Sequence, residues 1–296
     1  MELHKLTNIL DDFFGIGKFP KDMPFSKVLP EIYSKKGIDI EEYLTKSFLN
    51  KFHGLMLKNG DFVNKIYGSV FLDRKVIDKI FLRNERDILI FSHHPMEDET
   101  SGAGFIALDE IYLKKMKELN ISVYILHTPF EMNKEISVTG SINKALGLKK
   151  IKYSKNKSYD FLLPYGELLK KVKFEDFIES LRNIFKIEKI NFIKNREFVK
   201  KIAVLSGGAT DINFIKTASS IGCDTFLTGE YYNKLKLPFG DEERKLFDAE
   251  KNNFKINLIE CSHYATEKLV FLIEIPELFK KIEIPYEFLE QDNPWY

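Results

Sequence analysis

The chain has 296 residues, 44% of them hydrophobic, and its 45 basic side chains nearly cancel 44 acidic ones, leaving a formal net charge of +1. That length accommodates one large α/β domain or two smaller ones, and the even charge balance speaks against a dedicated nucleic-acid or anionic-membrane surface. Two cysteines, Cys223 and Cys261, are too few for a disulfide framework, no run nears the ~18 apolar residues of a membrane span, and the charged opening MELHKLTNILDDFFGIG lacks a signal-peptide core, so the expected setting is cytoplasmic and reducing.

In chain order, the first strong pattern is KIYGSVFLDRKVIDKIFLRNERDILIFSHHP, Lys65 to Pro95. A β-rich run at Ile66–Phe71 turns into a segment with Val76, Ile77, Ile80 and Phe81 at helical spacing, and a second apolar run, Ile88–Phe91, follows. The periodicity then predicts a helix over Ile106–Leu119 and a strand over Ser122–Leu126. A more polar middle contains FEDFIESLRNIFKIEK, Phe174–Lys189, which reads as a surface helix with an apolar stripe. The plan of the first pattern returns in KIAVLSGGATDINFIKTASSIGCDTFLTGEY, Lys201 to Tyr231, with strands at Ile202–Leu205 and Thr225–Leu227 around a helix carrying Ile212, Phe214, Ile215 and Ala218. ERKLFDAEKN predicts a further helix, Lys255–Cys261 a strand, and a last helix begins at about His263. Strand–helix–strand occurring twice is the grammar of parallel α/β units. The expected architecture is therefore two similar α/β halves, residues 1–150 and 151–296, with a linker near residues 133–165.

Four of the six histidines follow predicted strands: His93 and His94 in FSHHP, His127 in LHTPFE and His263 in SHYATE. The C-terminal edge of a parallel sheet is where α/β folds gather ligands. His127 is followed by Glu131 and His263 by Glu267, four residues on in each case. On a helix His263 and Glu267 would stand one turn apart on one face and grip one ion, while Pro129 speaks against that geometry for His127 and Glu131. A lone histidine after a strand is commonly a buried hydrogen-bonding residue, and Glu267 alone reads as a solvated helix carboxylate. Together, the imidazoles and carboxylates exceed the needs of one tetrahedral ion and suit two divalent transition-metal ions, with Zn, Fe, Mn, Co and Ni all compatible.

The motifs LIFSHHP, VYILHTPFE, GEL, SGG, FLTGE and SHYATEK, in this order from about Gly54 to Phe271, resemble the NIF three-like family, whose members include GTP cyclohydrolase type two homologues. The resemblance implies two similar intertwined α/β halves, mixed sheets flanked by helices, a dinuclear metal site between the halves, and assembly into hexamers built from dimers. It implies His93, His94, Glu131, His263 and Glu267 as metal ligands, with His127 a ligand or a support for one. Glu131 stands where the family usually has aspartate. The run Glu97–Glu99 replaces a stretch that is apolar in the family and reads chiefly as a solvated loop, and YNKLKLPFGDEERK replaces a segment that usually carries another histidine.

The chemistry expected from these residues is metal-dependent hydrolysis of a small nucleotide-like or phosphorylated molecule, with Glu267, or else one of the Glu97–Glu99 carboxylates, the catalytic proton shuttle. GTP cyclohydrolase-like activity is expected by resemblance only. The competing expectation is a non-catalytic metal-binding oligomer or interaction scaffold. Tyr264 and Cys261 read as packing residues rather than substrate contact and soft ligand. The glycines of LSGGATD and of SGAGF, Ser101–Phe105, read as tight turns rather than phosphate cradles.

Overall fold

The computed structural model describes residues 1–99, 104–155 and 162–293. In chain order these form α1 (Leu3–Phe14), α2 (Met23–Ser34), α3 (Lys46–Lys51), β1 (Gly54–Leu57), β2 (Lys65–Phe71), α4 (Arg74–Arg83), β3 (Ile88–His94), β4 (Glu97–Glu99), β5 (Gly104–Ile106), α5 (Glu110–Glu118), β6 (Ile121–Ile125) and α6 (Thr128–Met132). There follow α7 (Val138–Ala145), β7 (Lys149–Lys155), β8 (Leu162–Lys173), α8 (Phe174–Phe185), β9 (Asn191–Ile193), β10 (Phe198–Val204), α9 (Ile212–Ser220), β11 (Thr225–Thr228), α10 (Pro238–Glu250), β12 (Asn257–Glu260), α11 (His263–Ile273), α12 (Ile275–Lys281) and β13 (Tyr286–Phe288).

Two compact units emerge, residues 1–99, 104–137 and 271–292 in the first and residues 138–270 in the second. The expected halves, 1–150 and 151–296, differ from these units in two places. The division falls at Val138, inside the expected linker span, because α7 sends Ile142 into the core of the second unit. Residues 271–292 return to the first unit, where β13 pairs in parallel with β2 and Leu289 joins the core. A strand pairing between residues so far apart leaves no local pattern to read.

The first unit has a five-stranded sheet in the order β1-β6-β3-β2-β13, with β6, β3, β2 and β13 parallel and β1 antiparallel at the edge. Every residue of β3 is buried, as a central parallel strand covered on both faces requires, and this is why Ile88–Phe91 reads as an unbroken apolar run rather than an alternation. Asp73 accepts a hydrogen bond from the Val76 N–H at 2.7 Å and so caps α4, whose Val76, Ile77 and Ile80 enter the core. The helix expected over Ile106–Leu119 starts only at Glu110. Gly104–Ile106 is instead β5, antiparallel to β4, and Asp109 takes the N-cap position with its carboxylate held by Lys36 at 2.6 Å. Thus Glu97–Glu99 is a strand rather than a loop. Glu97 lies 3.8 Å from Arg74, while the side chains of Asp98 and Glu99, and Ser101–Ala103 of the sequence SGAGF, lie outside the described residues.

The second unit carries a six-stranded mixed sheet in the order β7-β8-β10-β11-β12-β9, its central β10, β11 and β12 parallel. The β7–β8 hairpin occupies the polar middle of the sequence, where exposed lysines hide the strand pattern. On one face α8 buries Phe174, Phe177, Ile178, Leu181 and Phe185, the stripe expected of it. On the other, Ile212, Phe214, Ile215 and Ala218 of α9 pack with Phe247 of α10. The repeat is real: β2-α4-β3 and β10-α9-β11 each join two parallel neighbouring strands. Among the described residues no helix is long and apolar enough to cross a membrane.

Candidate metal centre

In the first unit the histidines stand where β3 and β6 end. His93 and His94 close β3, and His127 follows β6 as the N-cap residue of α6. One ligand atom from each of the three rings lies within 4.8 Å of the others. His93 and His94 are 0% and 6% exposed. The His93 Nδ1 faces the Leu126 carbonyl oxygen at 2.7 Å. A carbonyl only accepts, so Nδ1 carries the proton, and in the neutral ring Nε2 holds the lone pair that a metal takes. That Nε2 is 3.4 Å from the Glu131 Oε1.

Pro129 does not spoil α6. It lies in the first helical turn, where its missing N–H removes no intrahelical bond. The N–H groups of Phe130 and Glu131 both donate to the His127 carbonyl oxygen, so His127 and Glu131 do stand one turn apart. Aromatic rings exclude water around them: Phe25 and Phe71 lie 5.7 and 4.7 Å from the His94 ring, and Phe130 5.8 Å from His93.

The second unit sets out its own pair. His263 opens α11, and its Nε2 lies 3.0 Å from Oε1 of Glu267 one turn on. Glycines make the room. Gly207, at φ +61°, would put a Cβ 2.2 Å from Glu267 Oε1 and 3.0 Å from His263 Nε2, and one on Gly229 would lie 2.8 Å from the His263 Cα. SGG and TGE are therefore clearance for the start of α11. They are no phosphate cradle: the Gly207 N–H donates to Thr266 Oγ1, that of Ala209 to the Glu230 carbonyl oxygen, and Asp211 occupies the N-cap of α9. Tyr264 is 1% exposed, and Cys261 is wholly buried with its thiol pushed up by that burial, so both pack as expected.

Two further carboxylates, outside the His-to-Glu pattern, contact these rings. Asp22 Oδ2 accepts a hydrogen bond from the His127 Nδ1 at 2.8 Å. Burial raises the Asp22 carboxyl, but the hydrogen bond from His127, the charge that ring carries when protonated, the Phe25 N–H and His53 together lower it to about 2. In sequence Asp22 gives only a helix-start signal, Asp before Met-Pro. Glu230 lies with Oε2 3.5 Å from the His263 Nδ1 while Oε1 accepts the Lys234 N–H at 2.6 Å. Its signal was the repeat: aligning Lys65–Pro95 with Lys201–Tyr231 puts Glu230 opposite His94, and the same separation carries His127 onto His263 and Glu131 onto Glu267. Neutral imidazoles with carboxylates beside them are a donor set for a divalent transition metal, and these buried groups could hold one.

Comparison with known proteins bears on the family and the fold. The chain is 23% identical over 261 residues to a protein of Haemophilus influenzae named GTP cyclohydrolase 1 type 2 homolog, covering 86% of this chain and 96% of that one. It is 24% identical over 265 residues to a protein of the same name from Buchnera aphidicola of Acyrthosiphon pisum, covering 86% and 98%. Among solved structures, protein ybgI superposes with a TM-score of 0.70 at 17% identity over 99% of this chain and 100% of that chain. A Bacillus cereus protein related to NIF3 gives 0.59 at 13% over 87% and 96%. Residues 50–294 match the family described as Duf34/NIF3 (NGG1p interacting factor 3), and the chain belongs to that family.

Proposed function

We propose that this protein binds two divalent transition-metal ions through His93, His94, His127, Glu131, His263 and Glu267, and acts as a metal-dependent hydrolase on a small nucleotide-like or phosphorylated molecule. The observation that carries the reading is the ring orientation: His93 and His127 each hold a partner at Nδ1, an arrangement that turns Nε2 into the donor. The name borne by the curated relatives, GTP cyclohydrolase 1 type 2 homolog, supports a purine nucleotide as the first substrate to try. Bound ions would supply Lewis acidity and activate water near neutral pH. Glu131 and Glu267 balance their charge. Glu267 keeps Oε1 against His263 and, in this reading, is the carboxylate that takes and returns a proton. Phe25, Phe71 and Phe130 cover His93 and His94, which are 0% and 6% exposed, and the low local dielectric strengthens their electrostatic contacts. We further propose a cytoplasmic homo-oligomer, a hexamer built from dimers by family resemblance, for light scattering to measure.

A non-catalytic reading has one observation in its favour. His93, His94 and Glu267 are at most 6% exposed, and a closed donor shell is the mark of a structural or storage site. Purified protein offered a panel of nucleotides and phosphoesters, with and without chelator, separates the two. Hydrolysis of at least one compound that chelator abolishes supports the enzyme; no chelator-sensitive turnover of any supports the scaffold.

A further inference from the structure

The family match begins at residue 50, yet two residues ahead of it touch the histidine cluster. Asp22, 5% exposed, holds the His127 Nδ1 at 2.8 Å, and the Phe25 ring lies tilted against His127 with centroids 4.4 Å apart. The stretch that carries them is fixed to the chain just before β1. Lys51 Nζ donates to the Phe19 carbonyl oxygen at 2.6 Å, the Asp22 N–H donates to that of Lys51 at 2.9 Å, and His53 Nε2 faces that of Pro20 at 3.2 Å. The two oxygens of Asp22 have separate tasks. Oδ1 accepts the Phe25 N–H at 3.1 Å and caps α2, while Oδ2 takes the imidazole and, at 3.3 Å, the Thr128 hydroxyl.

We propose that Asp22 is a positioning residue which makes His127 a metal ligand through Nε2, so that the segment leading into α2 completes a three-imidazole donor set with His93 and His94. A carboxylate can only accept, so the ring proton of neutral His127 stays on Nδ1 and the lone pair on Nε2. Carboxylate–histidine–metal pairs of this kind fix both tautomer and ring orientation, and losing the carboxylate typically costs about 10–100-fold in metal affinity. The family resemblance left open whether His127 coordinates or only supports. The Asp22 contact argues for coordination, because with Nδ1 held by an acceptor the neutral ring of His127 offers its lone pair at Nε2. This inference rests on the metal-binding reading above.

The test is Co2+ titration of metal-free full-length protein against a competing chelator, followed by the cobalt d–d absorption spectrum. Asp22→Asn keeps an oxygen for the α2 cap but can turn its amide N–H to His127, forcing Nδ1 to accept and moving the ring proton to Nε2. We expect affinity to fall about 10–100-fold with a changed d–d spectrum, and His127→Ala to do the same. In the double variant Asp22→Asn should cost nothing beyond His127→Ala, since it acts through that ring. Equal losses from Asp22→Asn with and without His127, or wild-type affinity and spectrum in Asp22→Asn, would overturn the assignment while leaving metal binding intact. Wild-type protein that takes up no cobalt would overturn both.

Discussion

At the residue scale, the chemistry of the candidate centre depends on clearances as much as on donors. Gly207 is the sharpest case: its φ of +61° is a left-handed conformation, and the space for its Cβ is already filled by Glu267 Oε1 at 2.2 Å. Gly37 shares the left-handed backbone, φ +71°, but has nothing within 4 Å. Alanine at either position should cost about 1–2 kcal/mol from the backbone alone, seen as a lower urea midpoint. Only Gly207→Ala should also weaken metal binding, by displacing Glu267; equal metal affinity in the two variants would refute the clearance argument. His93, His94, His127, Glu131, His263 and Glu267 could all be picked out in sequence, because adjacent imidazoles and a His-to-Glu step of one helical turn are rare patterns. Asp22 and Glu230 were less visible. A carboxylate that orients a ring across a hundred residues leaves no mark of spacing, and Asp22 looks like any helix cap.

At the element scale, apolar periodicity made β2-α4-β3 and β10-α9-β11 legible because both bury whole faces. The stripe of α8 has the same origin, and Leu181, fully buried within it, should lose about 2–5 kcal/mol on change to alanine. A thermal or urea unfolding curve for Leu181→Ala within 0.5 kcal/mol of wild type would mean that the stripe does not pack as described. The β7–β8 hairpin and β13 were not legible, the first under exposed lysines and the second because it pairs with β2 from the far end of the chain. Polar contacts fasten β13: Arg83 donates to both oxygens of Glu287 at 2.8 and 2.7 Å, and Lys65 adds a third contact at 2.8 Å. The hydrogen bond from Arg83, with help from Lys65 against burial, lowers the Glu287 carboxyl to about 2 from an ordinary 4.5. A carboxyl depressed on folding contributes stability that is whole above its unfolded value and disappears as pH falls through the folded one. Between pH 5 and pH 2.5, then, wild-type stability should fall more steeply than that of Glu287→Gln. The side chain is 38% exposed, so screening keeps the difference small. Parallel acid profiles for the two proteins would remove Glu287 from the account.

At the scale of the whole molecule, the two units repeat one plan: each has a parallel strand trio, and each sets a histidine with a glutamate one turn later at the start of the helix after its third strand. The equivalence of His127 and Glu131 with His263 and Glu267 explains why a chain of nearly neutral charge concentrates its histidines at strand ends. The proposed two-ion site makes a strong demand of its own: removing a donor from either unit should cost bound metal. Elemental analysis of purified wild type, His93→Ala and Glu267→Ala, all shown to be folded, tests that demand directly. We expect about two equivalents of transition metal per chain in wild type and a sharp loss in each variant, although the two positions belong to different units. Full metal retention in both variants would contradict the account.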